Sequence, residues 1–232
     1  ILGLHSCYVL IAGTLIVNTL VSVTSQKTNN AVIKWNLYYI IAIIAVCLIV
    51  NVSIRLDYYF LQGIPELSFT ETLQGLALVC INLCFYKMIK APNVGAGSLL
   101  VFGFFTTLLI RECDFWFDKI THGFWFYPAM FTTLITLVLF SKRGKSGFTE
   151  FVNLLRVPAM NKVIVGVIVL IIFSRIFGTG SFWRDVVSQD AFVVKTIIQE
   201  GLELLCYCFI TIGAWETKQQ VNTLNNNECG AL

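Results

Sequence analysis

Residues 35–54 read WNLYYIIAIIAVCLIVNVSI, twenty consecutive positions without a charged side chain. As a helix this stretch rises about 30 Å at 1.5 Å per residue, the thickness of a bilayer's hydrocarbon core. A soluble core helix alternates apolar and polar positions at a 3.6-residue period, and this run does not. The environment it is built for is lipid.

The same reading extends in both directions. Apolar runs occupy about 2–23, 35–54, 67–89, 98–117, 124–140, 162–180 and 190–215, separated by the polar tract Ser25 to Asn30, by Pro65, by the turn-rich Pro92 to Gly97, and by the basic Ser141 to Gly147. The weakest boundary is at Asp118 to Gly123, between the fourth and fifth runs. The 232 residues are 57% hydrophobic and only 12% charged, against roughly 25% charged in soluble domains. Mean hydropathy is +0.79. The expected fold is all-α, a polytopic membrane protein with seven transmembrane helices. It comprises a membrane domain over 1–217 and a short polar, mobile cytoplasmic tail over 218–232. The first run has no basic n-region and no small-residue cleavage pattern, so it reads as a retained span.

Basic residues set the orientation. The odd connections carry Lys27, Lys34, Lys87, Lys90, Lys142, Arg143, Lys145, Arg156 and Lys162, and the even ones only Arg55, Lys119 and Arg184. By the positive-inside rule the N-terminus is outside and the C-terminus cytoplasmic, in a plasma or inner membrane. The outer connections are aromatic (Tyr58, Tyr59, Phe60, Trp116, Trp125, Trp183), as suits rings at headgroup level. In the fifth connection, Phe148, Phe151, Val152 and Leu155 share a helical face beside Arg156, which predicts a short helix on the inner surface.

Partners follow from composition. The net charge of +3 comes from basic residues scattered along the chain, so nucleic acid is excluded and the bilayer and a small ion or solute remain. The cysteines lie in apolar runs, except Cys229, and read as thiols. Asn51-Val52-Ser53 matches a glycosylation sequon but sits too near the bilayer to be an acceptor.

Eight ionisable residues fall inside the runs: Glu71, Arg111, Glu112, Asp114, Arg175, Lys195, Glu200 and Glu203. Left facing lipid they would cost on the order of 20 kcal/mol in total, so they must face inward and pair. The topology puts all eight in or near the outer half of the third, fourth, sixth and seventh spans. Lys195, Gln199, Glu203 and Cys206 follow i, i+4, i+8 and i+11, with Glu200 and Tyr207 on the adjoining strip; Glu71 and Gln74 are i and i+3. Thr107, Arg111, Asp114 and Asp118 form a comparable row, which His122 extends if the helix continues. Five carboxylates against three cations leave a formal charge of −2, which calls for protons, a metal ion or a cationic ligand.

The leading functional expectation is a site for a cation or cationic solute, coupled to transport or channel activity. It is built from Glu71, Gln74, Arg111, Glu112, Asp114, Arg175, Lys195, Gln199, Glu200 and Glu203. The inner half of the spans reads as almost wholly apolar, so the site is expected to open outward. The alternative is an intramembrane hydrolase acting on a lipid or amide. Its cofactor would be a divalent metal ion held by Asp114, Asp118 and His122, with His5 at similar depth. A third possibility is a structural or signalling role. Lys195 beside carboxylates resembles the lysine and counter-ion of retinal proteins. The sixth span, however, lacks tryptophan and proline over Val163 to Phe177, and a salt-bridged lysine accounts for the pattern.

Overall fold

A computed structural model describes residues 29–61, 68–179, 183–185 and 191–229. Among these, all regular structure is helical: α1 (Asn29–Leu61), α2 (Phe69–Met88), α3 (Gly95–Glu112), α4 (Asp114–Asp118), α5 (Phe126–Ser141), α6 (Gly144–Leu155), α7 (Met160–Phe177) and α8 (Ala191–Cys229). Four stretches are long and apolar enough to cross a membrane: Trp35–Phe60, Phe69–Met88, Gly95–Glu112 and Ala191–Asn226. A fifth span is reached if α6 and α7, bent by 90° to each other, are counted together. The helix at the fifth expected run, Phe126–Ser141, is shorter at 16 residues. The first expected span, 2–23, lies outside the described residues.

Two units divide after Ile44. In the first, the described residues belong to the opening part of α1, where Trp35 and Tyr39 meet edge to face with centroids 5.5 Å apart. In the second, packing runs in a row, α5 on α3, α3 on α2, α2 on α8 and α8 on α7, with α6 against α3. Helices α2, α3 and α8 each pack on two or more neighbours, so their polar residues have protein around them.

The exterior of the bundle is apolar. Phe131, Leu134, Val138, Ile168, Ile171 and Ile172 are all exposed, a surface suited to lipid and not to water. Inside, Leu78, Ile81, Phe85 and Met88 recur along one face of α2, and the Phe85 ring stacks on Phe105 of α3 at 6.0 Å. The described cysteines Cys47, Cys80, Cys84, Cys113, Cys206 and Cys208 are free thiols, as their apolar setting suggested.

Two sequence expectations change. Helix α8 does not end near residue 217 but continues to Cys229. The expected mobile tail therefore begins as helix, with Val221 buried and Gln220 accepting a hydrogen bond from the Ala159 amide at 3.2 Å. The fourth run breaks at Cys113 (φ −95°, ψ 15°), so the row Arg111, Asp114, Asp118, His122 does not lie on one continuous helix. Asn51 sits well inside α1 and Ser53 is buried, in line with the expectation that the sequon is not an acceptor.

Close approach sets the α7–α8 contact. A Cβ at Gly166 would stand 2.5 Å from Ile210 Cγ1. Gly166→Val should therefore lower stability by about 1–3 kcal/mol through overpacking. Thermal unfolding in detergent checks this, and adding Ile210→Ala to the variant should recover part of the loss.

Candidate functional site

The site is framed by the start of α2. Ser68 caps this helix, its Oγ accepting from the Glu71 amide at 3.1 Å. A second cap comes from α1. The fully buried Asp57 accepts from the amides of Phe69 at 2.7 Å and Thr70 at 2.9 Å and from the Thr70 hydroxyl, which also meets Ser53 Oγ at 3.1 Å. A carboxylate buried against the positive end of a helix is matched by its N–H groups. This joins the end of α1 to the start of α2. Sequence reasoning missed Asp57 because the second apolar run was closed at residue 54; the signal was Ser53 and Asp57 at i and i+4.

One turn further into α2, the fully buried Gln74 reaches α8. Its Nε2 donates to the Glu200 backbone carbonyl and to Glu200 Oε2, both at 3.1 Å. Its Oε1 is buried without a hydrogen-bond partner. Turning the amide over would set Oε1 against the Glu200 carbonyl and carboxylate, so the neighbours favour this orientation. On α8, Gln199 Nε2 donates to Glu203 Oε1 at 3.2 Å, and Glu203 is 2% exposed. One turn on, the Tyr207 hydroxyl donates to Glu112 Oε1 at 2.9 Å, tying α8 to the last residue of α3. Arg111 Nη2 lies 4.0 Å from the same oxygen, with its side chain 42% exposed.

Helical periodicity explains the convergence. Glu200, Glu203 and Tyr207 follow i, i+3 and i+7 and face α2 and α3. Glu112, Glu200, Glu203 and Arg111 lie within electrostatic reach of one another, and Lys195 within reach of Glu200.

The structure thus brings together Gln74, Arg111, Glu112, Gln199, Glu200 and Glu203, with Lys195 beside them, and adds Tyr207. Glu71 stays in the first turn of α2, where an acidic residue suits the helix dipole. Asp114 is exposed at the start of α4. Arg175 lies near the end of α7, and its side chain is outside the described residues.

The three expected metal ligands are arranged differently from a shared helical face. Asp118 Oδ2 meets His122 Nδ1 at 2.7 Å, and Asp118 Oδ1 accepts from the Gly123 amide at 2.8 Å. Together they close the turn that the positive φ of Gly123 permits. Among the described residues, no group of three His, Cys, Asp or Glu side chains is arranged to hold a metal ion.

The interior beyond the cluster is more polar than its sequence suggested. Asn82 is buried on α2 and its Oδ1 accepts from Thr106 of α3 at 2.9 Å. Ser98 and Thr217 are fully buried, and toward the other end of α8 Lys162 Nζ meets Glu216 Oε2 at 2.6 Å. Single polar residues in apolar runs left no periodic stripe to read, and Lys162 and Glu216 stood at the edges of expected spans.

No protein-family model, curated protein or solved structure matches the chain.

Asp57→Asn keeps the shape of the cap but sets an NH2 group against amide donors. It should destabilise the protein by about 1.5–3 kcal/mol, the range for hydrogen bonds to a charged group, read as a lower unfolding midpoint in detergent.

Proposed function

We propose that this chain is a seven-span membrane protein, N-terminus outside and C-terminus cytoplasmic, whose outer half binds a small cation or cationic solute for transport or channel activity. The observation that carries the reading is the set of half-buried Glu112 and Glu200 and buried Glu203, in mutual electrostatic reach, with Gln74 on Glu200 carrying an acceptor, Oε1, that has no hydrogen-bond partner. Three carboxylates face Arg111 and Lys195, and Arg111 is part-exposed, so the interior favours an added positive charge.

The donor geometry narrows the ligand. A bare divalent ion needs several oxygens wrapped around one point. The carboxylates here are each engaged by a neighbouring donor, and no three acidic groups close on a common centre among the described residues. An ammonium-bearing solute suits the set better, because it supplies N–H to Gln74 Oε1 as well as charge to the glutamates. The buried Asn82 and Thr217, the half-buried Thr106 and the Lys162–Glu216 pair provide polar steps beyond the site, in support of passage through the bundle.

Thermal unfolding of the purified protein with ethylammonium, tetramethylammonium or sodium chloride tests this. Ethylammonium at ten times its Kd should stabilise the protein by about 1.4 kcal/mol. Tetramethylammonium, lacking N–H, and sodium should do less. Glu203→Gln and Gln74→Leu should each remove the ethylammonium increment, and Glu203→Gln should lower ethylammonium flux into liposomes. Equal increments in wild type and Glu203→Gln would refute the site.

A further inference from the structure

Helix α6 is set apart by its geometry. It turns 90° from α7, so it runs across the direction of the spans. Gly144, with φ +53°, makes the sharp turn out of α5. One face of α6 is locked onto the start of α3. Glu150 Oε2 accepts from the Ala96 amide at 2.7 Å, Asn153 Nδ2 donates to the Asn93 carbonyl at 3.2 Å, and Gly147 and Leu154 are buried. A Cβ at Gly97 would stand 2.8 Å from Phe151 Cα, so the two backbones nearly touch.

That anchorage fixes what the rest of the helix presents. Phe148, adjoining the locked face, is 62% exposed. Val152 and Leu155 continue its strip at i+4 and i+7. On the next strip Lys145 and Arg156 are exposed at i and i+11, about 16 Å apart along the axis, with exposed Lys142 just before the helix. Arg143 is held back, its Nη1 3.9 Å from Glu150 Oε1. An apolar strip edged by cations, on a helix lying across the spans, is the pattern of a helix seated at a lipid headgroup boundary.

We infer that this face of α6 binds anionic phospholipid, with headgroup phosphates on Lys142, Lys145 and Arg156 and acyl chains against Phe148. Charge complementarity selects the occupant. Lys142, Lys145 and Arg156 are exposed, while Glu150, the one acidic residue of α6, is turned inward to cap α3. A zwitterionic headgroup would gain little from that arrangement.

The test uses the full chain in detergent, with phosphatidylglycerol, phosphatidylcholine or inorganic phosphate added and thermal unfolding as the readout. Phosphatidylglycerol should raise the midpoint well above the other two, and the increment should shrink with added salt. Each of Lys142→Gln, Lys145→Gln and Arg156→Gln should weaken phosphatidylglycerol about five-fold. Phe148→Ser should weaken it too, while Lys119→Gln, at the other end of the bundle, should not. These residues are exposed, so the variants should unfold near the wild-type midpoint without lipid; Lys145→Glu gives a second, stronger test at one position. Four results would overturn the inference. They are an equal increment from phosphatidylcholine, an equal increment from inorganic phosphate, an undiminished phosphatidylglycerol increment in the charge variants, and a Phe148-dependent change of oligomeric mass without any lipid effect. The last would give this face to a second copy of the chain.

Discussion

Inside a bilayer a carboxylate has no water to fall back on, and among the described residues the buried acids Asp57, Glu203 and Glu216 and the half-buried Glu112 and Glu200 are each met by a donor from another helix or another turn. Asp57 is matched by the first amides of α2, Glu112 by the Tyr207 hydroxyl, Glu200 by the Gln74 amide, Glu203 by Gln199 and Glu216 by Lys162. These bonds are also the ties between helices: α1 to α2, α2 to α8, α3 to α8 and α7 to α8. Apolar side chains cannot supply such ties, because lipid competes equally for apolar surface. Charge satisfaction and helix arrangement are therefore the same problem, solved by the same residues.

Gln74 stands apart within that scheme. An amide has both donors and an acceptor, and the fold uses only the donors. An acid in its place would repel Glu200, and a leucine would leave Glu200 without its cross-helix donor. The retained acceptor beside several carboxylates is the feature on which the proposed binding site rests.

Sequence periodicity made the helical class, the lipid-facing exterior and the α8 stripe legible, because these depend on repeated spacing within one helix. Gln199, Glu200 and Glu203 could be placed together on that basis, and the cost of burying charge directed Glu112 and Arg111 toward them. What stayed hidden depends on single residues. The break at Cys113 has no Gly or Pro to announce it, and it separates Arg111 from Asp118 and His122. Asp57 lies past the last strictly apolar residue of its run, so only the cap it forms reveals that α1 continues to Leu61. The polar composition of 218–229 resembles a disordered end, yet Gln220 and Val221 pack on the start of α7.

The length of α8 has a mechanical meaning. Its 39 residues extend about 58 Å, nearly twice the hydrocarbon thickness, with no proline along the way. Glu203 and Glu216 are thus two points on one rod, about 20 Å apart. A torque applied at the carboxylates reaches the Lys162–Glu216 contact and the Gln220 anchor without passing through a loop. Any displacement of Glu203 is carried along that single shaft to Glu216.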